Sequence, residues 1–376
     1  MSAHLDLLVI GGGIAGVAAA LEAAAAGASV AVVRGGPGAT ALVSGGWRGS
    51  LSPLVARALA ESGLAHVPLG HPLPHPFGDW RRADFAPESH VAARAGAGVC
   101  VCGIAGLPGF PAAALARMWQ QPRHATLVMP GTPAAGWSPV SLAAQLERDP
   151  APLGVELRKL GTGTRAILPA VLGLDPRART RERLAEAAGI EVGEALAVPP
   201  SVPGWRLDRA LLLALERAGV AVVAGRVVGR TARGRQLESV QVMDGAAAAR
   251  SLSADRFVLA TGRFVGGGIT AADVTERVDV ARGEALREAG LVERALGCEI
   301  WVEHLGDRFR QVQPVPLTDP VREEPQALLR AGVHVDGAGR PLDGQDRVQY
   351  RNVVARGAVI AETAPGLGHA AAGGAP

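Results

Sequence analysis

The chain has 376 residues, room for two domains or one large composite one, and an apolar share of 48% with a mean hydropathy of +0.20 provides sizeable cores and excludes a disordered tail protein. Its formal net charge is only +3, its basic residues are scattered and all arginine except Lys159, and aromatics make up 3% of the chain. That excludes a basic stripe with base-stacking platforms, and with it a nucleic-acid partner.

The 50 glycines direct attention to turns where backbone comes close to something. The first element is an apolar run, Leu5 to Ile10, of the kind a strand buried on both faces shows. It leads into Gly11-Gly12-Gly13-Ile14-Ala15-Gly16, a G-x-G-x-x-G, then an alanine-rich helix from Ile14 to Ala26 stopped by Gly27. A second apolar run, Ala28 to Val33, completes a strand–helix–strand unit. In that context the three glycines are specific: Gly11 for the tight turn, Gly13 for backbone approach to a pyrophosphate, Gly16 for helix–strand packing. The phosphates sit at the positive end of the helix dipole. An empty glycine turn is the competing and weaker explanation.

An acidic residue is expected at the end of the second strand to accept ribose hydroxyls. Arg34 stands there, followed by Gly35. This leaves open an adenosine held without a carboxylate, a second phosphate, a flavin mononucleotide in a dinucleotide-type fold, or a solvated arginine.

The stretch Leu7 to Val33 has one charge, Glu22, yet glycines interrupt it and no basic segment precedes it. It reads as neither membrane span nor signal peptide, so the expectation is a soluble cytoplasmic protein. Three sparse cysteines, Cys100, Cys102 and Cys298, agree with a reducing compartment. Ser44-Gly45-Gly46-Trp47 forms a loop of small residues suited to a flat ligand, or an ordinary turn. His66, His71 and His75 lie in a proline-rich segment without a cysteine or carboxylate cluster, so no metal site is expected. Cys100 and Cys102 fall on one face of a strand, Gly98 to Ile104, and read as core thiols.

Residues 105–200 mix helix signals, such as Ser141 to Arg148, with breaks, and read as a second, less regular lobe. A helix at Leu207 to Arg217 precedes strands at Val220 to Val223, Leu237 to Met243 and Asp255 to Ala260, the last ending in Thr261-Gly262. Gly266-Gly267-Gly268 suggests a hinge or another close approach, residues 275–330 a return to the second lobe, and Gly332 to Asp336 and Asn352 to Ile360 closing strands. His304 and His334 are lone histidines without a catalytic setting.

Gly11-x-Gly13-x-x-Gly16 combined with Ser44-Gly45-Gly46, Ala260-Thr261-Gly262 and Asn352-x-x-Ala355-x-Gly357 resembles the succinate dehydrogenase/fumarate reductase class of flavoproteins. Several segments more narrowly resemble the B component of anaerobic glycerol-3-phosphate dehydrogenase: Arg34-Gly35 with the Ala41 to Gly46 loop, Val101 to Gly106, Leu168 to Leu174, Thr261 to Gly268 and, most discriminating, Pro199-Pro200-Ser201-Val202-Pro203-Gly204-Trp205-Arg206-Leu207. The resemblance implies an α/β protein with a Rossmann-like flavin-binding domain, a parallel sheet with a β-meander, and a smaller α+β cap or substrate lobe. It places the flavin domain at 1–97, 201–265 and 331–376 and the cap at 98–200 and 266–330. After Gly366-Leu367-Gly368-His369 it implies a further flavin-side helix.

The implied function is that of a flavoprotein subunit in a glycerol-3-phosphate:quinone oxidoreductase. Its partners are a catalytic dehydrogenase subunit and an iron–sulfur membrane-anchor subunit, which supplies the cluster relay that this chain's cysteines cannot. Membrane contact then comes only through the partner, on the inner face of the cell membrane. The cofactor is a flavin, FMN by the resemblance and FAD by the dinucleotide motif. Gly11, Gly13, Gly16, Arg34, Gly35, Ser44, Gly45, Gly46, Thr261, Gly262 and Gly357 are the expected cofactor contacts. Arg263 and Arg48 are candidates to neutralise a phosphate-bearing substrate or a reduced flavin, or else surface side chains. A free-standing flavin oxidoreductase and a non-catalytic scaffold subunit are the alternatives.

Overall fold

The computed structural model describes residues 4–49, 51–245, 249–271, 275–279, 284–288, 291–298, 300–301 and 331–361. They fall into two compact units, one drawn from Met1–Ala39 and Leu215–Gly366, the other from Thr40–Ala214.

The first unit is built on a sheet whose parallel part places strand Leu5–Ile10 between Val30–Arg34 and Arg250–Leu259, with Ala221–Ala224 beyond the second strand. The strands Arg226–Arg233, Gln236–Met243 and Arg250–Leu259 form an antiparallel meander, and the carboxyl half of the last also pairs in parallel with Val353–Ala355. Alanine-rich sequence favours the helix Ile14–Ala25, which buries Gly16, Val17, Ala20 and Leu21 on one face. Leu8, Ile10, Val33, Phe257 and Leu259 are among the side chains closing the core of this unit. Asn352 splices meander to closing strand: its Nδ2 donates to the carbonyls of Leu237 and Asp255, both at 2.9 Å, while its Oδ1 accepts from the Leu237 N–H at 3.0 Å.

The second unit carries a four-stranded parallel sheet, Glu191–Glu194, Arg165–Leu168, Val99–Ile104 and Arg123–Leu127 in spatial order. Helices Ala112–Met118, Pro139–Arg148, Ala151–Arg158 and Thr180–Ala188 accompany it. It is more regular than its proline and glycine breaks suggest. The helix expected from Ser141 begins at Pro139, because Ser138 and Ser141 form a reciprocal capping box around a proline at the first turn. Cys100 and Cys102 are buried free thiols in the core of this unit.

Two expectations are corrected. The second strand starts at Val30 rather than Ala28, since Ser29 turns to donate its N–H to Asp6 Oδ2 at 2.7 Å. Asn352 to Ile360 is not one strand: Val353–Ala355 is followed by a single 3-10 turn at Gly357–Val359. The two compact units need not coincide with the expected flavin-binding and cap regions. Residues 40–97 group with the second unit, where Ser201 Oγ donates to the Val43 carbonyl and Gly63 packs on Pro176. Ile269, Leu296 and Cys298 are buried in the core of the first. The expected return at 275–330 falls largely outside the described residues, as do His304 and the segment from Gly366 to Pro376.

Two successive Asp-Gly-x-x-Arg turns, Asp336 to Arg340 and Asp343 to Arg347, lead into the closing strand. Asp343 Oδ1 accepts the N–H groups of Gln345 and Arg347 at 2.9 and 3.0 Å, and Oδ2 accepts Arg347 Nε at 3.1 Å. Desolvation opposes ionisation of Asp343, but the backbone N–H groups of Arg347 and Gln345 and the Arg347 guanidinium outweigh it and lower the carboxyl to about 2. A depressed folded value means the turn's contribution to stability is present above the unfolded carboxyl value and is lost as pH falls through about 2. An NMR titration should therefore show Asp343 ionised at pH 3, and Asp343→Asn should lower the melting temperature at pH 7 more than at pH 2. A normal titration would remove this explanation of the turn.

Candidate functional site

The parallel strands of the first unit end in register. Ile10 pairs with Val33 on one side and Leu259 on the other, and Leu259 pairs with Ala355. What the chain carries just beyond those residues therefore meets at one carboxyl edge, where open α/β sheets bind ligands. That edge holds Gly11, Arg34, Ala260-Thr261-Gly262 and Gly357. Backbone bonds fix it: Gly11 N–H to Val33 O at 2.9 Å, Ala260 N–H to Ile10 O at 2.8 Å, and Arg356 N–H to Leu259 O at 2.9 Å.

At Gly11, Gly16 and Gly357 packing leaves no space for a side chain. Gly11 has φ +116°, and a Cβ on it would lie 2.2 Å from the Ala260 carbonyl oxygen. On Gly16 a Cβ would lie 1.9 Å from the Gly11 oxygen, and on Gly357 2.5 Å from the Ala15 Cβ. Gly13 is the N-cap of the first helix, with no side-chain cap bond and no acidic residue in the first turn. The positive helix end is thus presented by backbone alone. Thr261 Oγ1 is buried with no hydrogen-bond partner, and Gly262 has nothing within 4 Å of its would-be side chain. The Gly266–Gly268 run folds back on this loop, bringing a Cβ on Gly268 to 2.2 Å from the Gly262 oxygen. A side-chain-free helix terminus, a glycine turn and an orphaned hydroxyl are the fittings of a phosphate-bearing nucleotide, and the edge fits a flavin nucleotide on those grounds.

Arg34 lies across the turn, its Cδ 2.7 Å from where a Cβ on Gly12 would be, and the Arg226 stem covers Gly35 with Cγ at 2.6 Å from the corresponding point. Arginine stems occupy the position where a dinucleotide fold places its carboxylate. Arg263 is half-buried and donates Nη2 to the Ile360 carbonyl at 3.2 Å, tying the Thr261 loop to the closing segment. No group of three or more His, Cys, Asp or Glu side chains suited to a metal occurs among the described residues.

The remaining expected contacts, Ser44, Gly45, Gly46 and Arg48, belong to the second unit. Arg48 is exposed. A Cβ on Gly45 would lie 2.0 Å from His90 Nε2, and one on Gly46 would lie 3.0 Å from the Ala83 Cβ. Sequence reasoning missed what lies below: His90, Glu194 and Arg206 form a wholly buried polar cluster. Arg206 Nη2 donates to Glu194 Oε1 and Nη1 to the Leu172 carbonyl at 3.1 Å, while the Leu172 N–H donates to Glu194 Oε2 at 3.2 Å. Burial pushes the Glu194 carboxyl up, but Arg206 and His90 outweigh it and hold it below the ordinary carboxylate value. Burial lowers His90, and lowers neighbouring His66 to about 4. The one available signal was Arg206 itself, inside the unusual proline run.

Residues 6–66 and 151–374 match the family described as FAD binding domain. The chain belongs to that family. FAD is the flavin of the FAD-binding domain family, which decides between FMN and FAD. The expected resemblance also has a counterpart among curated proteins. Over 193 residues the chain is 35% identical to the B component of a "probable anaerobic glycerol-3-phosphate dehydrogenase" in two Halobacterium salinarum strains, a match covering 51% of this chain and 40% of the relatives' own length. Among solved structures, 3-ketosteroid delta1-dehydrogenase from Sterolibacterium denitrificans is 14% identical with a TM-score of 0.39, covering 95% of this chain and 94% of that one. The 3-ketosteroid-delta4-(5alpha)-dehydrogenase from Rhodococcus jostii RHA1 is 19% identical with a TM-score of 0.28, covering 69% of this chain and 46% of that one. Among the described residues no helix is long and apolar enough to cross a membrane.

Proposed function

We propose that this FAD-binding chain is the flavoprotein subunit of an anaerobic glycerol-3-phosphate:quinone oxidoreductase, which oxidises glycerol 3-phosphate to dihydroxyacetone phosphate. The observation that carries this reading is the 35% identity over 193 residues to proteins named as the B component of such a dehydrogenase. By that reading it works in the cytoplasm with a catalytic dehydrogenase subunit and an iron–sulfur membrane-anchor subunit, peripheral on the inner face of the cell membrane through the latter.

Bound flavin supplies an acceptor for two electrons. This chain's residues bind and orient it. Gly11, Gly13 and Gly16 admit the phosphates to the helix terminus, Thr261 Oγ1 offers a hydroxyl, Gly262 leaves room for a flat ring system, Gly357 lets the closing segment pack on Ala15 beside it, and Arg34 with Gly35 closes the far side. Ser44, Gly45 and Gly46 form the small-residue loop of the second unit. Arg263 and Arg48 carry the positive charge available to a phosphate or a reduced flavin, planar guanidinium being suited to bidentate contact.

The test is purification of the full chain with FAD, alone and with co-expressed partner subunits, followed by flavin absorbance and dye reduction by glycerol 3-phosphate. Retained flavin with reduction only in the complex is the expected result. Reduction by the chain alone would make it a free-standing oxidoreductase. Failure to retain flavin would leave a scaffold subunit.

A further inference from the structure

The parallel strands of the first unit end without a carboxylate. Ile10 is followed by Gly11, Val33 by Arg34, Ala224 by Gly225 and Arg226, Leu259 by Ala260, and Ala355 by Arg356. The first helix has no acidic residue in its first turn. A dinucleotide fold ordinarily places an acceptor here for the ribose hydroxyls, so this chain holds the adenosine end of its flavin in another way.

The edge offers two arginines fastened to each other. Ala224 pairs with Arg34 across the sheet, and the Gly225 N–H donates to the Arg34 carbonyl at 3.0 Å. Arg226 therefore starts beside the end of the second strand. Its stem crosses Gly35, with Cγ at 2.6 Å and Nε at 3.1 Å from where a Cβ would stand, and its Nη1 reaches to 4.0 Å from the corresponding point on Gly267. Gly267 belongs to the run that folds back on Gly262. The guanidinium thus lies between the Gly35 turn and the loop that follows Thr261. Arg34 lays Cγ and Cδ over Gly12, at 2.8 and 2.7 Å from its would-be Cβ. Gly12 and Gly35 are the spaces in which these stems lie. Among the described residues no acidic side chain pairs with Arg226.

We infer that Arg226, set in place by Arg34 and Gly35, holds the ribose of the FAD adenosine by donating to its oxygens, and that this end of the cradle therefore takes a ribose phosphate. The inference concerns the FAD cradle and does not depend on the substrate proposed above. A guanidinium carries five N–H donors and no acceptor, so it meets the ribose through oxygen lone pairs and not through hydroxyl protons. A phosphate on the same ribose accepts two such bonds and is attracted by the charge, whereas a carboxylate in this place would repel it. Arg226 is exposed, and solvent screening limits the gain to about tenfold. FMN has no adenosine and is indifferent to the residue.

Displacement of FAD from the full chain, followed by flavin fluorescence, tests this with AMP and its 2′-phosphate as probes. The phosphorylated probe is expected to displace FAD at about tenfold lower concentration. Arg226→Met keeps an apolar stem on Gly35 and removes the charge. It should bring the two probes together and weaken FAD severalfold while leaving FMN affinity unchanged. Equal probes in the parent, a preference for plain AMP, a preference that survives in Arg226→Met, or FAD and FMN weakened alike would overturn the assignment. The comparison of probes needs only the parent, so it stands if the variant does not fold. A parent that binds neither flavin would overturn the cradle itself, while retained FAD without the phosphate preference defeats only the role of Arg226.

Discussion

Gly16→Ala should strip the protein of flavin and destabilise it by about 2–3 kcal/mol, the upper part of the range for forcing a methyl into a closed site. The added carbon would stand 1.9 Å from the Gly11 carbonyl oxygen, a backbone atom with no rotamer to escape into. Relief requires the first helix to move away from the first strand. That movement shifts the helix terminus and the Gly11 turn together, because Gly11 N–H is bonded to Val33 and its Cα is packed on Ala260. Gly38→Ala is the control: nothing lies within 4 Å of its would-be side chain, and its effect should stay within about 0.5 kcal/mol. Flavin absorbance after gel filtration and chemical denaturation measure the two effects. A Gly16→Ala variant that keeps its flavin and its denaturation midpoint would refute the packing argument.

How far the sequence revealed the molecule depends on whether the determinants are local. The strand–helix–strand unit was legible because hydrophobic runs, a glycine turn and a helix stop all occur within one short stretch, from Leu5 to Arg34. The carboxyl edge was legible as separate pieces, since Thr261-Gly262 and Gly357 each follow an apolar strand. What joins them, the in-register ends at Ile10, Val33, Leu259 and Ala355, is a long-range pairing that no local pattern contains. The second sheet was hidden by proline and glycine in its connections, which punctuate elements without saying that the strands between them pair in parallel. The boundary near residue 40 was hidden for a related reason. The Ser44–Gly46 loop follows the flavin-motif strand in sequence, yet Gly45 packs on His90 and Ser201 bonds to Val43, far along the chain. The buried cluster was the least legible. Three polar residues from separate elements share no local pattern, and only burial shows that they are partners.

Arg206→Met should destabilise the protein by about 3–5 kcal/mol at pH 7, the penalty for leaving one member of a buried ion pair uncompensated. Glu194 is fully buried and loses its guanidinium partner, while the Leu172 carbonyl loses its donor. That is a large fraction of the ~5–15 kcal/mol that stabilises a folded chain. The pH dependence identifies the cause. In the parent, Arg206 helps hold the Glu194 carboxyl below its unfolded value, so its contribution is present above that value and lost as pH falls. Without the arginine, burial acts with less opposition and the folded value rises above the unfolded one. The variant then regains relative stability in acid and loses it as pH rises. The gap between parent and variant should therefore narrow from pH 7 to pH 4. Adding Glu194→Leu to Arg206→Met should restore part of the loss, because the orphaned charge is gone, giving a favourable coupling of about 1–3 kcal/mol in a double-mutant cycle. Urea denaturation of the parent, the two single variants and the double variant at both pH values measures each quantity. A pH-independent gap, or additive losses, would mean that Arg206 stabilises the unit through packing of its stem and not through Glu194.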